Sequence, residues 1–181
     1  DCKICPGGKY AASTGKGSCD NCPTGKHLTD AGTSVDKHDN ANDCVICGMG
    51  KYQDDTGQDD CKLCPPGKYN NQGTSNVAYH DSPSDCTSCA KGTYQDSQGA
   101  TSCKQCPAGR YGSDVGLTGS SACTPCAKGT YSGSGVQSCT NCGAGKYNPS
   151  TGGEQASAIS VRNLKLRSSY PLTPRPRHLR F

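Results

Sequence analysis

The hexapeptide Cys64–Tyr69, "CPPGKY", decides the fold, because near-copies of it run along most of the chain. They read "CPGGKY" at Cys5, "CPTGKH" at Cys22, "CGMGKY" at Cys47 and "CAKGTY" at Cys89. "CPAGRY" follows at Cys106, "CAKGTY" again at Cys126 and "CGAGKY" at Cys142. The leading cysteine of each copy is the second member of a Cys-x-x-Cys pair. All sixteen cysteines fall in eight such pairs: Cys2/Cys5, Cys19/Cys22, Cys44/Cys47, Cys61/Cys64, Cys86/Cys89, Cys103/Cys106, Cys123/Cys126 and Cys139/Cys142. The gaps between pairs run 13, 21, 13, 21, 13, 16 and 12 residues. This alternation predicts four modules, over 1–43, 44–85, 86–122 and 123–152, ahead of a cysteine-free tail over 153–181. Periodicity of that kind means an array whose units contact mainly their neighbours.

Composition explains why the motif repeats. The chain has 181 residues, enough for one ordinary domain. Yet residues 1–152 hold only eleven large aliphatic side chains: two Ile, five Val, three Leu and Met49. There is no Trp, and the one Phe is Phe181. Each such burial yields about 1.5–3 kcal/mol, whereas ordering the backbone costs about 1–2 kcal/mol per residue. Eleven residues cannot offset the ordering of that chain. Sixteen cysteines can stand in for a core, and a chain so rich in them is composed as a disulfide scaffold. Disulfides persist in oxidising compartments, so an extracellular location, secreted or at the cell surface, is expected. The sequence opens inside a repeat, as a mature product or a piece of a larger precursor would. It has no apolar run long enough to cross a membrane.

Net charge is +4, but residues 1–152 carry thirteen Lys or Arg against fourteen Asp. The tail carries six against Glu154, so the basicity belongs to the tail.

Within the motif, Gly8, Gly25, Gly50, Gly67, Gly92, Gly109, Gly129 and Gly145 stand three residues past the second cysteine. A glycine at a fixed offset predicts positive φ or a backbone pressed against a neighbour. Two residues further stand Tyr10, Tyr52, Tyr69, Tyr94, Tyr111, Tyr131 and Tyr147, with His27 as the single departure. These rings are expected to cover a disulfide or the start of the next unit, and the residue before each ring to alternate outward on a short strand. Stretches such as "STGKGS" and "DDTGQDD" place turn formers midway through the short gaps, which predicts small irregular hairpins. The long gaps are expected to be surface loops. Little helix is expected, because glycine and turn formers interrupt every face. The fold class is therefore small and disulfide-rich: a tandem array of short irregular β-hairpin modules forming an elongated rod.

Sequence alone does not decide the connectivity. Pairing of first to third and second to fourth cysteine is favoured, as parallel staples across one hairpin. That gives Cys2–Cys19, Cys5–Cys22, Cys44–Cys61, Cys47–Cys64, Cys86–Cys103, Cys89–Cys106, Cys123–Cys139 and Cys126–Cys142. Pairing of the inner two, such as Cys5–Cys19, is the rival.

Cys-x-x-Cys-Pro-x-Gly-x-Tyr, a polar stretch, then Cys-x-x-Cys resembles the ephrin-receptor-like cysteine-rich repeat, a relative in style of EGF-like and tumour-necrosis-factor-receptor-like modules. The resemblance covers Cys2 to about Gly152. "CGMG", "CAKG" and "CGAG" depart from it by lacking the Pro. It implies an extracellular elongated rod and no enzyme, and it names no ligand.

Other chemistries fit less well. Four-cysteine sets match zinc ribbons, but the ribbon glycine directly after the second cysteine occurs only at Cys47 and Cys142. A redox Cys-x-x-Cys needs one pair at a helix start with a lowered thiol pKa, which eight equivalent pairs do not offer. Calcium has a basis in the acidic loops holding Asp36, Asp39, Asp43, Asp54, Asp55 and Asp59, although solvated loops are the blander reading. His27, His38, His80 and His178 show no metal-ligand spacing, and no catalytic residue or cofactor is expected. For N-linked sugar, Asn148 is blocked by its Pro, leaving the Asn-x-Cys form at Asn42; serine- and threonine-rich loops offer O-linkage.

In the tail, "AISVRNLKL" reads as a strand to add to a neighbour, against the plainer reading of a disordered basic end. The function expected is a structural scaffold building a filament, surface appendage or matrix from copies of itself. The alternative is a receptor or adhesion ectodomain binding a protein or glycan. Neither nucleic acid nor direct membrane insertion is expected.

Overall fold

Each hexapeptide begins as a turn. In the computed structural model, which describes residues 1–154, the Lys9 N–H donates to the Pro6 carbonyl at 3.2 Å and the Lys68 N–H to Pro65 at 3.1 Å. The glycine between them, at φ 75° for Gly8 and 81° for Gly67, holds the turn position that demands positive φ. All eight motif glycines share that conformation.

The turn leads into a two-residue strand. Lys9–Tyr10 pairs antiparallel with Asp20–Asn21, the two residues enclosed by the next Cys-x-x-Cys. The same pairing joins Lys26–His27 to Val45–Ile46, Lys51–Tyr52 to Lys62–Leu63, and Lys68–Tyr69 to Thr87–Ser88. It recurs between Thr93–Tyr94 and Lys104–Gln105, Arg110–Tyr111 and Thr124–Pro125, and Thr130–Tyr131 and Thr140–Asn141. The result, among the described residues, is seven separate two-stranded sheets, a tandem of small hairpins as expected. Among the described residues the helical elements are five 3-10 turns: Val35–Lys37, Ala41–Asp43, Val77–Tyr79, Pro83–Asp85 and Ser120–Ala122. All lie in the longer gaps. Asn40 and Ser82 open two of them with reciprocal caps to Asp43 and Asp85.

The disulfides correct the favoured pairing. They join Cys5–Cys19, Cys22–Cys44, Cys47–Cys61, Cys64–Cys86, Cys89–Cys103, Cys106–Cys123 and Cys126–Cys139, while Cys2 and Cys142 are free. None of the parallel staples, such as Cys2–Cys19 or Cys5–Cys22, forms. The inner pairing does, and it continues without a break across the next gap. The reason lies in strand geometry. The two residues between paired cysteines are a strand, and side chains on a strand alternate faces. Residues three apart therefore point opposite ways, so one cysteine reaches back to the unit it ends and the other forward to the unit it opens. Each bond closes one unit, from the second cysteine of a pair to the first of the next. The bonds Cys22–Cys44, Cys64–Cys86 and Cys106–Cys123 each span one of the expected module boundaries.

The interior is sulfur. Apart from Leu28, the buried apolar side chains among the described residues are eleven cysteines. Val35, Val45, Met49, Leu63 and Val115 are exposed. Even the few aliphatic side chains among the described residues are mostly not used as a core.

Candidate functional site

Having little interior, the chain presents as its recurring feature the junction between consecutive units. At the first junction the Gly8 N–H donates to the Leu28 carbonyl at 2.9 Å, and the Gly8 carbonyl accepts from the Cys22 N–H at 2.8 Å. The Ala11 N–H donates to the His38 carbonyl at 2.8 Å. Equivalent bonds recur at all seven junctions, down to Gly129 with Asn148 and Cys142, and Ser132 with Gly153. At five junctions a further bond runs from a loop glycine to the cysteine opening the previous unit, as from the Gly57 N–H to the Cys22 carbonyl at 2.8 Å. The motif glycine is needed here twice over. Besides its positive φ, a Cβ on Gly8 would collide with the backbone of Gly57, and one on Gly50 with that of Gly99. Each contact reaches two units along, so the stack is held by neighbours and next-neighbours.

At Tyr10, His27 and Tyr69 the ring position lies beside the next unit's disulfide, whereas Tyr147 is exposed. Tyr10 packs on the buried cluster of Cys22, Cys44 and Leu28, and Tyr69 borders the same groove as Cys103. His27 takes this seat beside Cys47–Cys61: its Nδ1 lies 3.2 Å from the Cys61 Sγ and 3.1 Å from the Val45 carbonyl. His27, Cys47 and Cys61 form the one close group of metal-type ligand atoms among the described residues, and two of the three are bonded to each other.

Among the described residues the acidic side chains considered for calcium do not gather three carboxylates into a metal-sized group. Asp36, Asp39 and Asp59 are exposed, and Asp43 caps the Asn40 N–H at 2.8 Å. Asp54 and Asp55 clasp the Lys62 ammonium at 2.5 and 2.7 Å. That contact lowers the Asp54 pKa and raises that of Lys62. Lys104 and Asp96 repeat the arrangement in a later unit, with the same directions of shift.

Two histidines that look scattered in the sequence turn out to be equivalent. His38 and His80 are buried, and each anchors a long loop across a junction. The His38 ring places Nδ1 2.7 Å from the Lys9 carbonyl and Nε2 3.0 Å from the Asp30 carboxylate. His80 places Nδ1 3.0 Å from the Lys51 carbonyl and Nε2 3.2 Å from the Gly73 carbonyl. Those two junctions are the ones without the loop-glycine bond, so the ring supplies a cross-link of its own. The available signal was the spacing from His38 to His80, which equals the 42-residue step between the first modules. Asp30 in turn accepts from the backbone and hydroxyl of Thr33 as well as from His38, which hold its carboxyl far below the usual range.

Buried amides do a similar task inside units. Gln53 donates to the Asp60 carbonyl at 2.7 Å and accepts from the Asp55 N–H at 3.1 Å; Gln95 repeats this with Ser102 and Ser97. These residues follow the ring directly, a position the motif reading passed over.

The family model described as tyrosine-protein kinase ephrin type A/B receptor-like matches residues 1–39, 32–80 and 77–118. The chain belongs to this family. The ephrin-receptor-like match covers successive stretches up to residue 118, and the same turn, strand and stitch continue beyond it to residue 153. No curated protein matches the chain. Ephrin-receptor-like repeats bonded in this way are disulfide-rich repeats of the extracellular type, and no helix among the described residues is long and apolar enough to cross a membrane. The expected strand at "AISVRNLKL" and the basic end after it lie outside the described residues.

Proposed function

We propose that this chain is a structural, non-enzymatic extracellular scaffold, secreted or held at the cell surface. Its disulfide-closed units would stack into a rod that builds a filament, surface appendage or matrix with copies of itself. The observation that supports this most is the junction. The same backbone bonds recur seven times with little dependence on side-chain identity, and a contact that repeats by translation along one chain suits open-ended assembly. The near-neutral charge of residues 1–152 puts no large repulsion in the way of such assembly. Electron microscopy of native material tests the reading: open-ended filaments with an axial repeat support it, and dispersed monomers refute it.

A receptor or adhesion role is the second reading. An open groove of about 590 Å³, lined by Leu28, Asp30, Lys37, Asn42, Asp43 and Val45, offers a protein or glycan ligand both charge and apolar surface. A saturable partner bound by dispersed monomers would favour this role over the first.

A further inference from the structure

Seven disulfides follow one plan, yet one of them has a different neighbour. Where Tyr10 covers Cys22–Cys44, His27 stands against Cys61 of Cys47–Cys61. Among the described residues no other cystine sulfur has a hydrogen-bond partner at this range. The His27 strand is paired in register with the strand that opens at Val45, which sets His27 opposite Val45. Its Nδ1 faces the Val45 carbonyl, which can only accept, so Nδ1 carries the hydrogen and points it between that oxygen and the Cys61 sulfur. A tyrosine in this seat offers sulfur an aromatic surface; the imidazole offers it a donor.

We propose that Cys47–Cys61 is the redox-labile bond of this chain, the one that a dithiol, free or carried by an oxidoreductase, opens at the mildest poise. A donor to sulfur does little for a disulfide but stabilises a thiolate, and stabilising the reduced form raises the reduction potential. In the exchange the dithiol's two sulfurs join, and the Cys47–Cys61 bond breaks. Cys47 takes one of the dithiol's protons, and Cys61 leaves as a thiolate sharing the His27 hydrogen while the second proton goes to solvent. Asp60, next in sequence, opposes negative charge at Cys61, but its own carboxylate is taken up by the Cys61 N–H at 2.7 Å and by Lys51 at 3.4 Å. The effect concerns equilibrium rather than speed, since Cys61 is buried and Cys103 is less so.

The chain supplies its own controls. Cys5–Cys19, Cys47–Cys61 and Cys89–Cys103 close loops of one length, with a sequence separation of 14, so loop-closure entropy is matched. The folded chain is equilibrated in graded ratios of reduced to oxidised dithiothreitol, then alkylated and mapped by mass spectrometry. Cys47 and Cys61 should take label at a dithiol ratio about tenfold lower than the other two pairs, about 30 mV for a two-electron couple. His27→Tyr should erase the difference, and Tyr69→His should move Cys89–Cys103 toward the labile behaviour. Reduction of the three pairs together, or a difference that survives His27→Tyr, overturns the proposal.

Discussion

The His80 ring lies across a junction from Lys51, its Nδ1 3.0 Å from the Lys51 carbonyl while the Gly73 carbonyl faces Nε2. His80 is fully buried, so its loss leaves the Gly73 carbonyl without a partner, the Lys51 carbonyl with only the Asn70 amide at 3.5 Å, and a void. Each orphaned polar group costs about 1–3 kcal/mol and the void adds to it. His80→Ala should therefore lower unfolding stability by about 2–4 kcal/mol and speed proteolysis within residues 70–86. His38→Ala should act alike over residues 28–44. Denaturant melts with peptide mapping of the cuts measure both. Variants as stable as the parent would remove the histidines from the junctions.

Glycine at the motif position is a matter of contact as well as conformation. Gly50→Ala must hold a side chain at φ 74° and drive it into the Gly99 backbone, two units along. A left-handed conformation alone costs about 1–2 kcal/mol. Gly48, two residues earlier, has open space where a Cβ would go and no positive φ. Gly48→Ala should leave thermal stability within about 0.5 kcal/mol of the parent, whereas Gly50→Ala should cost at least 2 kcal/mol. Equal melting temperatures for the two would contradict the two-unit contact.

Much of this was legible in the sequence. The eight hexapeptides gave the turn, the hairpins and the array, because glycine and ring stand at fixed offsets from sulfur. What escaped was the pairing, since equal three-residue offsets look the same whether the cysteines staple in parallel or face opposite ways. Only the strand between Cys19 and Cys22, aligned with Lys9–Tyr10, decides it. His38 and His80 escaped for another reason: their partners are backbone carbonyls, which leave no mark on composition.

Acid should loosen the first long loop before the others. In the folded chain Asp30 is held ionised by Thr33 and His38, so its pKa lies far below the ordinary carboxylate value of about 4. A depressed folded value means stability that is present above that ordinary value and is lost as pH falls below it toward the folded one. Asp30→Asn should thus be less stable than the parent at pH 6, and the gap should narrow steadily toward pH 2. Paired thermal melts across that range check it. A gap that stays constant, or widens in acid, would mean that the Asp30 charge contributes nothing.

Covalent closure of each unit carries the last prediction. Peptide mapping of unreduced protein, digested in acid to prevent exchange, should recover Cys5 joined to Cys19 and Cys22 joined to Cys44. Fragments joining Cys2 to Cys19, or Cys5 to Cys22, would restore the parallel staples. Replacing Cys22 and Cys44 together by serine should cost about 2–5 kcal/mol, and it also strips the surface on which Tyr10 and Leu28 pack. Replacing the exposed Cys2, which closes no unit here, should cost under about 0.5 kcal/mol. Since the described chain buries little apolar surface besides sulfur, full reduction should abolish protease resistance along residues 5–139, and a reduced chain that keeps it would need a core that the structure does not have.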